Sequence, residues 1–438
     1  MLWATKLKTP NLDRLAKEGL RFTDEHSAAS MCTPTRFSLL TGDYCWRHDV
    51  RGLNRGVAAG DDPLLIKPST VTLPSILKRA GYRTGVVGKW HLGFGETAPD
   101  YNAELKPGPL EVGFDEFFGY PATNDRVPPV YVRDHRVVGL DPADPITVTY
   151  KRPGGAVTRG SVIAGVERIG WMTGGKAAVW KDDEVGGVLL ANALAFVERH
   201  QKEPFFLYFA PHAVHPPTVP SEKFRGKSGL SPRADMLCEL DAGVGQILDA
   251  LDRLKLAGNT LLIFTSDNGA FVQDEKGHRP NGPWHGEKEQ YFEGGHRVPF
   301  LVRWPGHVKP GVSDALIGLT DLPATAAAIV SQKLPATAAP DSVSLLPLFL
   351  GETPGSPHEA IVVMSSKGAL ALRKGPWKYM SKAVGLPVKG KKKEAFLAEP
   401  GLYNLVEDPG EQNNLAKQNP EMVKQLAALL EAIRSGKK

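Results

Sequence analysis

Cys32-Thr33-Pro34-Thr35-Arg36 is the stretch of this chain best equipped for chemistry. Pro34 suits the first position of a helix because it has no N–H to leave unpaired, and Phe37, Leu39 and Leu40 follow at positions that can face a core. Cys32 then stands at a helix N-terminus. The partial positive charge there, with Arg36 one turn on, stabilises negative charge on a nucleophile or on a bound anion. Five residues alone are a weak pattern, since a buried, inert cysteine before a helix is the commoner case.

Three further polar clusters each follow an apolar, strand-like run. Lys89 and His91 lie in Gly88-Lys-Trp-His-Leu-Gly93, His212 and His215 follow Phe205 to Phe209, and Asp267 and Asn268 follow Leu261 to Thr265. Taken singly, each reads as a solvated loop or, for Ser-Asp-Asn-Gly, as a turn. Their repeated placement at strand ends is what matters, because open α/β sheets bind ligands beyond the carboxyl ends of their strands. Asp267 and Asn268 offer hard oxygen ligands suited to Ca²⁺ or Mg²⁺ rather than to zinc. Lysines and histidines around such a cation neutralise a tetrahedral oxyanion, and either can protonate a leaving alkoxide. The chemistry indicated is cleavage of a sulfate or phosphate ester.

The elements that must position these groups are legible as βα-type units. Thr72 can cap a helix with Pro74 near its start, ended by Gly81, before a strand over Arg83 to Val87. A helix over Val188 to Val197 precedes the strand Phe205 to Phe209, and a long helix from Ala234 to Leu254 precedes the strand Leu261 to Thr265. The expected class is α/β: a mostly parallel central sheet flanked by helices, followed by a smaller C-terminal α+β domain with an antiparallel sheet. Gly93 to Val112 and Pro121 to Gly175 lack periodicity and read as loops over a binding site. A boundary at Gly351 to Pro357 separates a catalytic unit, residues 1–350, from a small unit, residues 357–438. Within the latter, strands are expected at Ala360 to Met364 and Leu370 to Leu372, with a helix from Pro420 to Arg434.

The 438 residues, 42% hydrophobic and 23% charged, have an ordinary globular composition with room for one large core and a smaller one. A net charge of +5 implies mild attraction to anions. The basic residues are scattered, with one dense run at Lys389 to Lys393 that reads as a solvated loop, so nucleic acid is not an expected partner. Three cysteines exclude a disulfide framework and match no zinc motif, although one bridge is open to them. No apolar stretch has the length of a membrane span, and the apolar stretch at Met1 is too short for a signal peptide.

The chain resembles the type I, formylglycine-dependent sulfatases of the alkaline phosphatase superfamily. The resemblance is carried in order by Thr9-Pro-Asn-Leu-Asp-Arg-Leu-Ala16, the Cys32 motif, Gly81-Tyr-Arg-Thr84 with the Lys89 segment, and Ala210-Pro-His-Ala-Val-His-Pro-Pro217. It continues through Thr265-Ser-Asp-Asn-Gly269, Lys288 ahead of Phe292-Glu-Gly-Gly-His-Arg-Val-Pro299, and Leu402-Tyr-Asn-Leu-Val-Glu-Asp-Pro409. It implies a sulfuric ester hydrolase in which a maturation enzyme oxidises Cys32 to formylglycine, whose hydrate attacks sulfur. Arg36 would hold that hydrate, Lys89 and Lys288 would bind sulfate oxygens, and His91 would take a proton so that the aldehyde is regenerated. His215, with Lys288, would assist departure of the alcohol, Asp267 and Asn268 would be two ligands of Ca²⁺, and His212 would lie behind His215.

The implied substrate is a sulfated sugar or an aryl sulfate, with Asn124, Asp125 and Arg126 lining its pocket, and the implied location is periplasmic or secreted. Thr35 stands where many members have serine, which retains a hydroxyl. Cys45 and Cys238 match no catalytic position and are expected to be structural. Members begin with a strand ending in an Asp-Asp pair upstream of the Thr-Pro-Asn-Leu-Asp segment. The expectation is therefore either a reading frame that extends upstream of Met1 or a poorly active truncation. Alternatives of different character are a phosphonate or phosphodiester hydrolase of the same superfamily, and an inactive glycan-binding homologue.

Overall fold

Local sequence explains where the chain starts and stops its elements. In the computed structural model, which describes residues 6–54, 56–154, 156, 160–272, 274–381 and 399–436, helix α1 (Pro10–Glu18) leads into strand β1 (Leu20–His26). Helix α2 (Cys32–Thr41) ends at Gly42, whose left-handed conformation closes the last turn. Helix α3 (Leu73–Arg79) begins with a reciprocal capping pair: Thr72 accepts from the Ser75 amide, and Ser75 answers on the Thr72 backbone. Strand β2 (Arg83–Lys89) runs two residues further than its apolar run suggests and so carries Lys89 on its last position. Strand β3 is Glu116–Tyr120.

The stretch Pro121 to Gly175 is more ordered than its composition implies. It holds short strands β4 (Val132–Arg133), β5 (Arg136–Val137), β6 (Thr147–Thr149), β7 (Gly160–Ile163), β8 (Val166–Ile169) and β9 (Trp171–Thr173), paired as β4 with β5, β6 with β9 and β7 with β8. Glycine and proline mask the alternation that would mark such short hairpins. Then come α4 (Val185–His200), β10 (Phe205–Ala210), α5 (Pro232–Arg253), β11 (Leu262–Thr265), the single turn α6 (Glu293–His296), β12 (Phe300–Arg303), β13 (Gly311–Gly318), α7 (Leu322–Ile329) and α8 (Leu346–Phe349). The last strands are β14 (Ile361–Met364), β15 (Leu370–Lys374), β16 (Trp377–Met380) and β17 (Gly401–Asn404), before α9 (Pro420–Arg434).

The central sheet comes in two parts. One has the order β10-β2-β3-β4-β5, parallel through its first three strands; the other has the order β11-β12-β1-β13, in which β1 and β13 are parallel and β12 runs antiparallel to both neighbours. Among the described residues no strand pairs with both β10 and β11. These two strands line one cavity of about 1350 Å³, whose polar end includes Lys89, Asp267, His215 and Lys288. Because β2 and β10 are parallel in register, Phe205 opposite Arg83 through Ala210 opposite Gly88, their carboxyl ends arrive together.

Close packing explains two glycines in this region. A Cβ on Gly85 would lie 2.3 Å from the ring of Phe196, so its absence lets α4 settle on β2. Gly88 has φ +117, and a Cβ there would fall 2.0 Å from the Ala210 carbonyl oxygen. A main cluster of buried side chains including Phe22, Trp90, Phe117, Phe300 and Phe349 forms the core.

The C-terminal strands form a separate antiparallel sheet, β14-β15-β16-β17. It is joined to the main body at the segment that precedes Cys32: Ala29 pairs with Met364, and Ser30 donates its amide to the Met364 carbonyl at 2.8 Å. All three cysteines are free, so the open disulfide does not form. The basic run Lys389 to Lys393 and the first residues from Met1 lie outside the described residues.

Candidate active site

Cys32 is the first residue of α2, and Pro34 is its third residue rather than its first. Both positions lie in the turn whose N–H groups have no partner within the helix. Every residue of α2 is buried, so the thiol is held by a helix locked on all sides. The Lys288 ammonium donates to the Cys32 sulfur at 3.3 Å, and the thiol donates to Asn268 Oδ1 at 3.3 Å. Burial and Asp267 push the thiol upward, but Lys288, Lys89 and Arg36 together outweigh them and hold it below the usual thiol range.

Arg36, one turn along the same helix, donates from Nε at 3.0 Å and Nη2 at 2.7 Å to Asp267 Oδ2. Its Nη1 donates to the Lys89 carbonyl at 3.0 Å and to the Tyr208 hydroxyl at 3.2 Å. One guanidinium therefore ties α2 to the ends of β2, β10 and β11. Burial alone would raise the Asp267 carboxyl, yet Arg36, Lys89 and Lys288 hold it well below the ordinary carboxylate range. The Lys89 ammonium is 3.7 Å from the same oxygen, and burial lowers its pKa first of all.

His91 has φ 60, a left-handed conformation that a residue with a Cβ adopts only when its surroundings impose it. Thr33 imposes it in part, donating to the His91 carbonyl at 3.0 Å while accepting from the Ala58 amide at 3.1 Å. The imidazole Nε2 is 2.9 Å from the Ala58 carbonyl, which can only accept, so the proton is assigned to Nε2. Nδ1 is then a buried acceptor without a partner. Burial, followed by Lys89, Arg126 and Arg36, holds His91 neutral, well below the usual histidine range.

His215 lies on the other side of the lysines, with Nδ1 donating to the Pro216 carbonyl at 2.8 Å and 3.9 Å from Asp125 Oδ1. Burial and then Lys288 and Lys89 bring its pKa down to about 3. His212 is buried behind it, and its carbonyl accepts the His215 amide at 3.0 Å. Asp125 is bound by Thr123 Oγ1 and, at 3.0 Å, by Arg126. Asn124 is buried with its Oδ1 unpartnered.

The structure thus brings Cys32, Arg36, Lys89, Asp267, Asn268 and Lys288 into direct contact, with His91, His215 and the Asn124–Arg126 turn around them. Tyr208 and Thr33 also belong here and are not apparent in the sequence. Tyr208 lies within an apolar strand, and Thr33 acts through backbone groups whose positions the sequence does not reveal.

The chemistry of Asp267 and Asn268 suits a hard cation: Asn268 Nδ2 is committed to the Gly269 carbonyl at 2.9 Å, which leaves Oδ1 as its donor. In number they fall short, since Ca²⁺ takes 6–8 oxygens and Asp267 Oδ2 is already shared by Arg36 and Lys89. Among the described residues, the grouping of three His, Cys, Asp or Glu donors lies elsewhere, at His26, Glu293 and His296. Two of its three members already pair with a cation of the chain itself. The Lys378 ammonium is 3.0 Å from Glu293, 3.0 Å from His296 and 2.8 Å from Glu411, and Arg297 and Arg373 occupy the other Glu293 oxygen. His26 completes the grouping, with its Nδ1 2.9 Å from His296 Nδ1 and its Nε2 2.8 Å from Asp24.

The model of the Sulfatase family matches residues 4–331. The chain belongs to the sulfatase family. It is 44% identical to an N-acetylgalactosamine-6-O-sulfatase of Bacteroides thetaiotaomicron, over 99% of this chain and 89% of that sulfatase. Human arylsulfatase A is 34% identical over 96% of this chain and 82% of its own length. A solved Bacteroides thetaiotaomicron structure, described in terms of the metabolism of multiple glycosaminoglycans, superposes with a TM-score of 0.93 at 43% identity, covering 99% of this chain and 95% of the other. The phosphonate monoester hydrolase of Agrobacterium radiobacter shares the fold at 20% identity, TM-score 0.62, with 99% and 92% covered. The sulfatase described here is therefore a sulfuric ester hydrolase with an alkaline-phosphatase-like α/β fold. Among its described residues no helix is long and apolar enough to cross a membrane.

Proposed function

We propose that this sulfatase removes the 6-sulfate from N-acetylgalactosamine units of a sulfated glycan, using Cys32 after its conversion to formylglycine. The observation that carries the reading is the Cys32 sulfur held 3.3 Å from both Lys288 Nζ and Asn268 Oδ1, beside the Arg36–Asp267 pair. Identity of 44% to a relative with that named activity supports the choice of sugar. When formed, formylglycine supplies a hydrated aldehyde as the nucleophile toward sulfur. Asp267 and Asn268 would hold a Ca²⁺ ion, with Mg²⁺ the less suitable choice.

The remaining work falls to the chain's own charges. Lys288 and Lys89 bind sulfate oxygens and neutralise charge as the ester bond breaks. Arg36 holds the residue 32 side chain against Asp267. His91 presents Nδ1 as the atom that takes up a proton, because Nε2 is committed to the Ala58 carbonyl. His215 offers Nε2 to the departing alcohol oxygen. A bound sulfate ester offsets the positive field of Lys288 and Lys89, so His215 holds a proton more readily in the complex than in the resting site. Asn124, Asp125 and Arg126 contact the sugar. Maturation by a formylglycine-generating enzyme and work outside the cytoplasm belong to the same reading.

The test is peptide mass spectrometry across Cys32 after expression with a maturation enzyme, together with sulfate release from 6-O-sulfated N-acetylgalactosamine, an aryl sulfate and an aryl phosphate diester. The expected result is loss of the thiol and preference for the sulfated sugar. An unmodified thiol, or preference for the phosphodiester, would refute the proposal.

A further inference from the structure

Arg168 is a charged side chain with no solvent exposure. It lies on β8 and donates from Nη2 to both oxygens of Asp182, at 2.9 and 2.6 Å, while Nη1 donates to the backbone carbonyl of Asn124. The Trp180 ring lies 5.6 Å from the guanidinium carbon, and its Nε1 donates to Asp182 at 3.1 Å. Burying such a pair is costly unless its hydrogen bonds are well made, and the Arg168 Nε has no partner at all. An apolar pair would fill the same volume without that cost, so stability alone does not explain it.

The hairpin β7–β8 holds the neighbouring residues as well. Ile169 donates its amide to the Asp125 carbonyl at 2.7 Å, and Val127 donates to the Ile169 carbonyl at 3.1 Å. Arg126 and Ile169 form a parallel bridge. Three consecutive residues, Asn124 to Arg126, are thus fixed from behind, the first by a guanidinium and the others by a strand. Their side chains include the unpartnered Asn124 Oδ1 and the Asp125 carboxylate 3.9 Å from His215. Among the described residues, none of the hydrogen bonds of Cys32, Arg36, Lys89 or Lys288 runs to the hairpin.

We infer that Arg168, braced by Asp182, is a positioning residue for substrate selectivity: it sets the Asn124–Arg126 turn as the wall that meets the alcohol half of the ester. This rests on the sulfatase reading above. A fault in the brace should then be felt by a sulfated sugar, which needs that wall, far more than by a small aryl sulfate, whose sulfate half is held by the lysines.

The experiment compares matured wild type with the double variant Arg168→Met/Asp182→Leu, which leaves no buried charge unpaired. Steady-state kinetics are measured on 6-O-sulfated N-acetylgalactosamine and on p-nitrophenyl sulfate, with Tm recorded for each protein. The expected result is a kcat/KM for the sugar lowered about tenfold or more, chiefly through KM, with aryl sulfate turnover within about threefold of wild type. Equal losses on both substrates, or an unchanged sugar kcat/KM at preserved Tm, would overturn the inference. Should the double variant fail to fold, Arg168→Lys keeps a cation beside Asp182 without the two-oxygen grip and is read the same way. A matured wild type that releases sulfate from neither substrate fails the sulfatase reading itself, and the inference with it.

Discussion

The ammonium of Lys288 is 3.3 Å from the sulfur of Cys32, across 256 residues of chain. Neither residue reaches the other by local structure. Cys32 is placed by α2, whereas Lys288 sits in a loop whose amide groups are spent on Ala270, at 2.9 Å from Lys288, and on Ser30, at 2.8 Å from Glu289. The Glu289 carbonyl in turn accepts the Ser366 amide at 2.9 Å, so the C-terminal sheet also holds this lysine loop.

Lys288→Met is expected to lower kcat on every sulfate ester by about 10² to 10³, the usual cost of removing one preorganised donor from developing negative charge. Burial lowers the lysine pKa, but Cys32 and Asp267 outweigh this and hold it above its ordinary value. That balance holds while residue 32 is a thiol, whereas the loss expected of Lys288→Met is a property of the matured enzyme. Kinetics with matched aryl sulfate and sugar substrates check this. A variant that loses only sugar turnover would count against the assignment.

Asp267→Asn is expected to destabilise the fold by up to about 3 kcal/mol, because the buried Arg36 guanidinium loses its counter-charge. The folded pKa of Asp267 is depressed, so its contribution is present above the unfolded value of about 3.9 and fades as pH falls below it. Denaturation at pH 7 and pH 3 reads this. The variant and wild type should differ most at pH 7 and by less at pH 3, converging only when pH falls through the depressed folded value.

His215→Asn is expected to lower turnover by about 10² or more through loss of a proton donor, with KM changing less. Because His215 is neutral in the resting site down to about pH 3, the acid limb of kcat/KM between pH 5 and 7 should not move in the variant. Imidazole NMR is the direct check. His215 should be silent across that range in the free protein and titrate at higher pH once sulfate is added.

Glu411 carries a prediction about pH and folding. Burial comes first among the causes that raise its carboxyl to about 7, with the neighbouring Glu293 adding to burial against the pull of Lys378. A raised folded value means the contribution is full below the unfolded value of about 4.3 and is lost as pH rises through about 7. Glu411→Gln should therefore flatten the fall in stability between pH 5 and pH 8, by roughly 2 kcal/mol. Thermal unfolding at the two pH values measures it, and an unaltered slope would contradict the cluster's role.

Sequence alone determined the groups and most of their carriers. Strand-like apolar runs each followed by Lys89, His215 or Asp267 mark one end of a sheet, because strand connectivity brings carboxyl ends together whatever the side chains between them. The cap at Thr72 and the helix at Pro420 to Arg434 were legible for a local reason, since capping and 3.6-residue periodicity are written within a few positions. Tertiary structure alone decided the rest. The short hairpins inside Pro121 to Gly175 and the tautomer of His91 depend on distant partners. The Arg168–Asp182 brace and the Lys378 cluster are further cases, because ion pairs formed across the fold leave no periodic trace along the chain. Cys32 illustrates the limit: its residue type and helix position were readable, but its reactivity is set by Lys288, Lys89 and Arg36, and only folding brings those three charges to one sulfur.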